Sequence, residues 1–190
     1  MAEWMKLVLL GTNGLNGLTE AQREDAQSQI AEIVTDCAES DQIEIYSADG
    51  YSFDEVMSRS IERLMAPHDG RVRRHKYCLT GEVFESFCER EMAMGIEIDA
   101  TRILQHGNWI GGDGIRRLGS RSVADVVQAR DIAMIAAAAA SGATVCISID
   151  AKWYPSQEGT NARTIAKRFG MDVVRFVFEL SDEKLTYREA

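Results

Sequence analysis

The chain has 190 residues, with 21 Lys plus Arg against 30 Asp plus Glu, a formal net charge of −9. That balance argues against general DNA or RNA binding, because no excess of cations is present to displace counterions from phosphates. With 45% hydrophobic and 27% charged residues, collagen, a disordered tail and a disulfide mini-protein are excluded, and one domain spanning 1–190 is expected.

Met5 to Leu10 reads as a strand buried on both faces, and its apolar run, Leu7-Val8-Leu9-Leu10 after Lys6 and before glycine, is too short for a signal peptide. A glycine-rich loop, Gly11-Thr12-Asn13-Gly14-Leu15-Asn16-Gly17, follows. Thr19 is an N-cap residue, and Glu20 suits the positive end of a helix running to about Cys37. Gln42 to Ser47 alternates towards a second strand, Ala48 to Ser52 is a turn, and Phe53 to Met65 has helical spacing. This repeated strand–loop–helix unit predicts an α/β fold, a three-layer Rossmann-like arrangement around a mainly parallel, doubly wound sheet. The basic run Arg71 to Lys76 suits a third strand with an exposed face. Tyr77 to about Ser120 fits a possible insertion, and the glycine- and arginine-rich stretch from Gly107 to Ser122 has the length of a binding loop or lid.

From Ser122 a long helix reaches the alanine run and stops near Gly142. Residues 132–149 carry no charge, yet a buried helix, a glycine stop and a central strand explain them better than a membrane span. No membrane association is expected. The strand Ala143 to Ile149 precedes a loop, Asp150 to Glu158. A helix then opens at Gly159-Thr160, Gly170 caps it, and Asp172 to Phe178 is the last strand. The four cysteines, Cys37, Cys78, Cys88 and Cys146, form no close pair, which reads as reduced thiols in a cytoplasmic protein. No carboxylate–histidine cluster has ligand spacing, so neither a metal nor a cofactor is expected.

Open α/β sheets bind ligands outside the carboxyl ends of their strands. Three stretches fall there with residues suited to phosphate. Gly11, Thr12, Asn13 and Gly14 offer unhindered amides and hydrogen-bond partners, Asp49 and Gly50 follow the second strand, and Glu158-Gly159-Thr160 opens a helix whose N–H groups attract an anion. The spacing is not that of the G-x-G-x-x-G dinucleotide fingerprint. Arg130 stands in an otherwise apolar helix, where its guanidinium either reaches a phosphate bidentately or pairs with Asp125 or Asp131. Gly111 to Gly114 with Arg116, Arg117 and Arg121 is either a phosphate clamp or a solvated loop. Trp109 and Trp153 either stack on a base or cover a core edge or subunit contact, and a homo-oligomer is expected.

Gly11-Thr12-x-Gly14-x-x-Gly17-Leu18-Thr19-x-x-Gln22 resembles the opening of the SLOG superfamily, which includes the Lonely-Guy phosphoribohydrolases and the DprA-like proteins. Arg130-Asp131-x-x-Met134 is similar to its helix motif, and Glu158-Gly159-Thr160 with the following helix and strand to its Gly-Thr helix start. The resemblance covers Lys6 to Met65 and Ser122 to Phe178. It implies a small-molecule nucleotide ligand, with phosphate held by the glycine-rich loops and the Gly-Thr helix at Gly11, Thr12, Asn13, Gly14, Asp49, Gly50, Gly159 and Thr160, Arg130 binding at the glycosidic side, and Arg130 and Glu158 as candidate catalytic residues. The hydrolases place a glutamate three residues after the Gly-Thr threonine; here that position is Arg163. Glu158, Asp49 or Asp54 is then left to supply a carboxylate. Three functions follow: a nucleotide sensor or sequestering protein, an N-glycosidic hydrolase or transferase, and a partner-binding protein with a degenerate pocket.

Overall fold

The computed structural model describes residues 3–48, 54–68, 70–77, 131, 134–154 and 157–190, with the backbone alone at 13, 68, 77 and 157–161. In chain order these form β1 (Met5–Leu10), a 3₁₀ turn (Asn13–Gly17), α1 (Glu20–Cys37), β2 (Ile43–Ala48), α2 (Glu55–Met65) and β3 (Val72–Tyr77). The helix ahead of the next strand, α3, covers residues 134–140, and Asp131 is helical as well. Then come β4 (Val145–Ala151), α4 (Gln157–Arg168), β5 (Asp172–Ser181) and β6 (Lys184–Glu189).

The strands make one open six-stranded sheet in the order β3-β2-β1-β4-β5-β6. Five are parallel, and only β6 runs antiparallel, against β5. Central position explains the apolar run Leu7 to Leu10 of β1: Leu7 faces Ile45 on one side and Val145 on the other, and Leu7, Val8 and Leu9 are all fully buried. Alternate residues serve two cores. Leu7, Leu9, Ile45, Ile147 and Phe178 pack with Ile30, Ile33 and Val34 of α1 and with Val56, Met57 and Ile61 of α2. Val8, Leu10, Tyr46 and Cys146 pack with Met134, Ile135 and Ala138 of α3 and with Ala162 and Ala166 of α4. The alanine run is thus a buried helix side, small enough to lie close to the sheet. Among the described residues no helix is long and apolar enough to cross a membrane.

The helix ends follow their local chemistry. Thr19 and Gln22 form a reciprocal capping box, each side chain accepting the other's backbone N–H at 3.3 and 3.0 Å. Gly142 and Gly170 adopt φ of +97° and +84°, closing α3 and α4. The Ala143 amide reaches back to the Ala138 carbonyl and the Met171 amide to Ala166, a geometry that disfavours any Cβ at the glycine. Lys6 Nζ donates to the Ser141 carbonyl at 2.6 Å, a cation at the negative end of α3. The expected third strand is present as β3 at the sheet's edge, with Arg73, His75 and Lys76 exposed. His75 stacks on Tyr46 at 4.6 Å and meets Glu44 at 3.2 Å.

Three expectations are corrected. Asp150 is not the first residue of a loop: β4 continues to Ala151, paired with Phe178, because Ile149 and Ala151 still face the core. The last helix does not open at Gly159-Thr160 but at Gln157, so the unpaired amides of its first turn end at Gly159. Asp172 to Phe178 is not the last strand, since β5 runs on to Ser181 and turns into β6. Gln22 and Gln29 of α1 donate to the Glu183 and Leu185 carbonyls at 3.0 and 3.2 Å, fastening this hairpin to the helix.

Candidate functional site

Leaving β1, the chain builds the sheet outwards through β2 and β3, then returns to place β4 on the other side of β1. The reversal opens a crevice at the carboxyl ends of β1 and β4. Gly11 to Gly17 leaves β1 there, and residues 152–154 leave β4. The two segments touch. A Cβ on Gly14 would lie 2.5 Å from the Tyr154 Cβ and 3.1 Å from the Ala151 Cβ, and Trp153 Nε1 donates to the Gly14 carbonyl at 3.2 Å. A Cβ on Gly11 would meet the Met57 side chain at 2.6 Å. These glycines therefore let protein approach protein. Thr12 is buried and caps the 3₁₀ turn, its hydroxyl accepting the Gly14 amide at 3.3 Å.

Beside the crevice, at the end of β4, Asp150 receives two guanidiniums on one oxygen. Arg163 Nη1 of α4 lies 2.9 Å and Arg175 Nε of β5 2.6 Å from Asp150 Oδ2, and Arg163 also donates to Ser148 Oγ at 3.3 Å. Asp150 and Arg163 are largely buried, with side-chain exposures of 11% and 15%, whereas Arg175 is 44% exposed. Two guanidiniums thus share one carboxylate oxygen, and Asp131 acts on the same neighbourhood, opposing Arg163 at Cys146. Arg163 holds Asp150 in this arrangement. Cys146, on the same side of β4, is fully buried, and burial, with Asp131 nearby, pushes its thiol up to about 12 against the pull of Arg163. It is an unreactive core thiol. Cys37 is likewise raised by burial and by Glu189 and Asp36.

A third group at this edge is Asp54, the N-cap of α2, which has no exposed surface. Its Oδ1 accepts the Val56 amide at 2.7 Å, while Oδ2 has no hydrogen-bond partner. Burial raises its carboxyl from 3.8 to about 6, against the lowering pull of the Val56 and Asn16 amides; Glu55 adds to the rise and Arg23 opposes it. A carboxyl held near neutrality is chemically suited to exchange a proton in the physiological range.

Two depressions lie near these groups. One, about 490 Å³, runs between α1 and α2, where Arg23, Arg59 and Arg63 alternate with Glu20, Glu24 and Glu55. Arg59 pairs with Glu55 at 2.8 Å and Arg63 donates to Ser28 at 2.8 Å, so it reads as a salt-laced helix seam. The other, about 620 Å³, lies at the carboxyl edge between the end of the 3₁₀ turn, Trp153 and the tip of β5.

Of the residues expected to form the site, Gly11, Thr12, Asn13 and Gly14 follow β1, and Glu158, Gly159 and Thr160 lie in the first turn of α4. Both segments follow the neighbouring strands β1 and β4. Asp49, Gly50, Arg130, the Gly107 to Ser122 stretch and Trp109 lie outside the described residues. Sequence reasoning passed over Asp150 and Arg175. The signal available was a charged residue at the end of an apolar strand, Asp150 after Ile149, and a lone Arg175 inside another. Among the described residues no three His, Cys, Asp or Glu side chains gather as metal ligands would. No protein-family model, curated protein or solved structure matches this chain.

Proposed function

We propose that the protein is a three-layer, doubly wound Rossmann-like domain of SLOG type, which binds a nucleotide or nucleoside phosphate at the carboxyl edge and senses or sequesters it. One observation carries this reading: β4 returns beside β1, so that the glycine loop and the start of α4 flank one crevice. In open α/β sheets that switch point is where ligands bind, and a helix start beside it favours a phosphate. The half-exposed Arg175 guanidinium, held by Asp150, adds a hydrogen-bond donor at the end of β4 in a strongly acidic chain. Arg163, engaged with Asp150 in place of a catalytic carboxylate, supports binding over hydrolysis.

A second reading, cleavage or transfer at an N-glycosidic bond, draws on Asp54, whose buried carboxyl titrates near 6 at this edge. One incubation separates the two. The protein is equilibrated by dialysis with each nucleoside monophosphate in EDTA, and the mixture is chromatographed for free base. Binding of at least one monophosphate without base release is the expected result. Released base establishes the enzyme, and retention of no monophosphate overturns both readings in favour of a partner-binding protein with a degenerate pocket.

A further inference from the structure

Asp150 lies on the side of β4 that faces α4, since Arg163 of that helix reaches both it and Ser148, two residues earlier on the same strand face. The last pairing of β1 with β4 is Leu10 with Ser148. Asp150 therefore stands just past the end of β1, where the chain segments leaving β1 and β4 part. The first leads to α1 on one face of the sheet and the second to α4 on the other. Side chains lean towards the N-terminus of their helix, so Arg163, in the second turn of α4, meets the carboxylate close to the helix start.

Only half of this carboxylate is used by the protein. Both guanidiniums meet it at Oδ2, Arg163 at 2.9 Å and Arg175 at 2.6 Å. Oδ1 accepts no hydrogen bond among the described residues, and unlike Asp54 Oδ2 it is not sealed from solvent. Asp150 as a whole is only 8% exposed, so the open oxygen is held in one direction. A group already fixed in place loses little freedom when a ligand docks on it.

The chemistry of that oxygen selects its partner. A carboxylate paired with guanidiniums accepts hydrogen bonds and donates none, so it repels phosphate and takes O–H or N–H groups. When a nucleotide rests its phosphate at the start of α4, the donors nearest that phosphate are the hydroxyls of its sugar. The amines of the base lie beyond the sugar ring.

We propose that Asp150 is the sugar contact of this site, its Oδ1 accepting from the vicinal hydroxyls of a ribose. The proposal rests on the nucleotide reading above and adds to it the class of sugar that the site takes. Equilibrium dialysis of AMP, GMP, CMP and UMP, each beside its 2′-deoxy and 3′-deoxy analogues, against wild type and Asp150→Asn tests it. For the ribonucleotide that binds wild type most tightly, at least one deoxy analogue is expected to bind about 10- to 150-fold more weakly, the range for a hydrogen bond to a charged group. That comparison needs no variant. Asparagine keeps a carbonyl oxygen for both guanidiniums, so Asp150→Asn should fold, which melting curves check, and it puts a neutral amide where the open oxygen was. It should bring the ribonucleotide down towards its weaker deoxy analogue and leave that analogue's affinity unchanged. An Asp150 that only props the fold would lower all affinities together. Deoxy analogues that both bind wild type as tightly as the ribonucleotide, or an Asp150→Asn loss shared equally by ribo and deoxy forms, overturn the sugar contact while nucleotide binding stands. If none of the monophosphates binds wild type, the nucleotide reading itself falls and takes the sugar contact with it.

Discussion

Asp54 shows a residue whose local role and whose cost pull apart. As the N-cap of α2 it satisfies the Val56 amide, a contribution of about 1 kcal/mol for such caps. Its second oxygen is buried without a partner. The folded carboxyl titrates near 6 against 3.8 for the ordinary group, so between these values the folded state binds more protons than the unfolded one. Stability from this group is therefore fully present below about pH 4 and declines as pH rises through 6. Asparagine caps a helix as well as aspartate and carries no charge. Asp54→Asn is expected to stabilise the protein at pH 8 by on the order of 1–3 kcal/mol, and to make little difference at pH 4. Urea melts of both proteins at the two pH values check this; a gain equal at both, or none at pH 8, contradicts it. From the sequence alone Asp54 was legible only as one of three possible carboxylates. Its burial depends on the 3₁₀ turn after β1, which a run of Gly and Asn does not announce.

At the scale of elements, the close approach of the glycine loop to the turn after β4 is a matter of one missing carbon. Gly14→Ala would put a Cβ 2.5 Å from that of Tyr154, an atom fixed to the backbone and unable to rotate away. Overpacking of this kind costs about 1–3 kcal/mol. Gly14→Ala should lower the melting temperature and open the crevice, and Tyr154→Gly in the same chain should restore part of the loss. A double-mutant cycle with no coupling between the two positions contradicts that packing. The parallel strands and the helices with clear caps were legible because each follows from local chemistry: apolar runs for β1 and β4, the Thr19 cap for α1, Gly142 and Gly170 for the ends of α3 and α4. β6 was not. Its sequence, Lys-Leu-Thr-Tyr-Arg-Glu, alternates charge with apolar groups as a solvated edge strand does. Its turn places Asp182 and Glu183 at φ of 50° and 62°, a left-handed pair usually signalled by Asn-Gly. Asp150 was hidden for a related reason, because a charge after an apolar strand looks like a loop until two arginines from other elements are seen to meet it.

At the scale of the whole molecule, strand order decides where a ligand can enter. Composition and periodicity foretold an α/β sheet, but the insertion of β4 beside β1 arises from long-range pairing that no local pattern encodes. That insertion puts the carboxyl edge with Gly14, Trp153, Asp150 and the start of α4 in one neighbourhood, and it is the physical ground for the proposed nucleotide binding. Arg130, four residues ahead of Met134 in the sequence, is the cation that an otherwise apolar stretch offers to a ligand phosphate under the proposed function. Hydrogen bonds to charged groups contribute about 1.5–3 kcal/mol, so Arg130→Ala should weaken a bound nucleotide roughly 10- to 150-fold.

Melting curves of wild type and Arg130→Ala, each with and without the tightest-binding monophosphate, test nucleotide binding at this edge most directly. At a hundred times its dissociation constant a ligand stabilises by about 2.7 kcal/mol, or about 5–10 °C for a chain of this size. The expected result is that shift in the wild type, most of it lost in the variant, with the two ligand-free proteins melting together. A variant that melts early on its own yet keeps the full ligand shift would contradict it, and would mark Arg130 as a structural ion-pair partner.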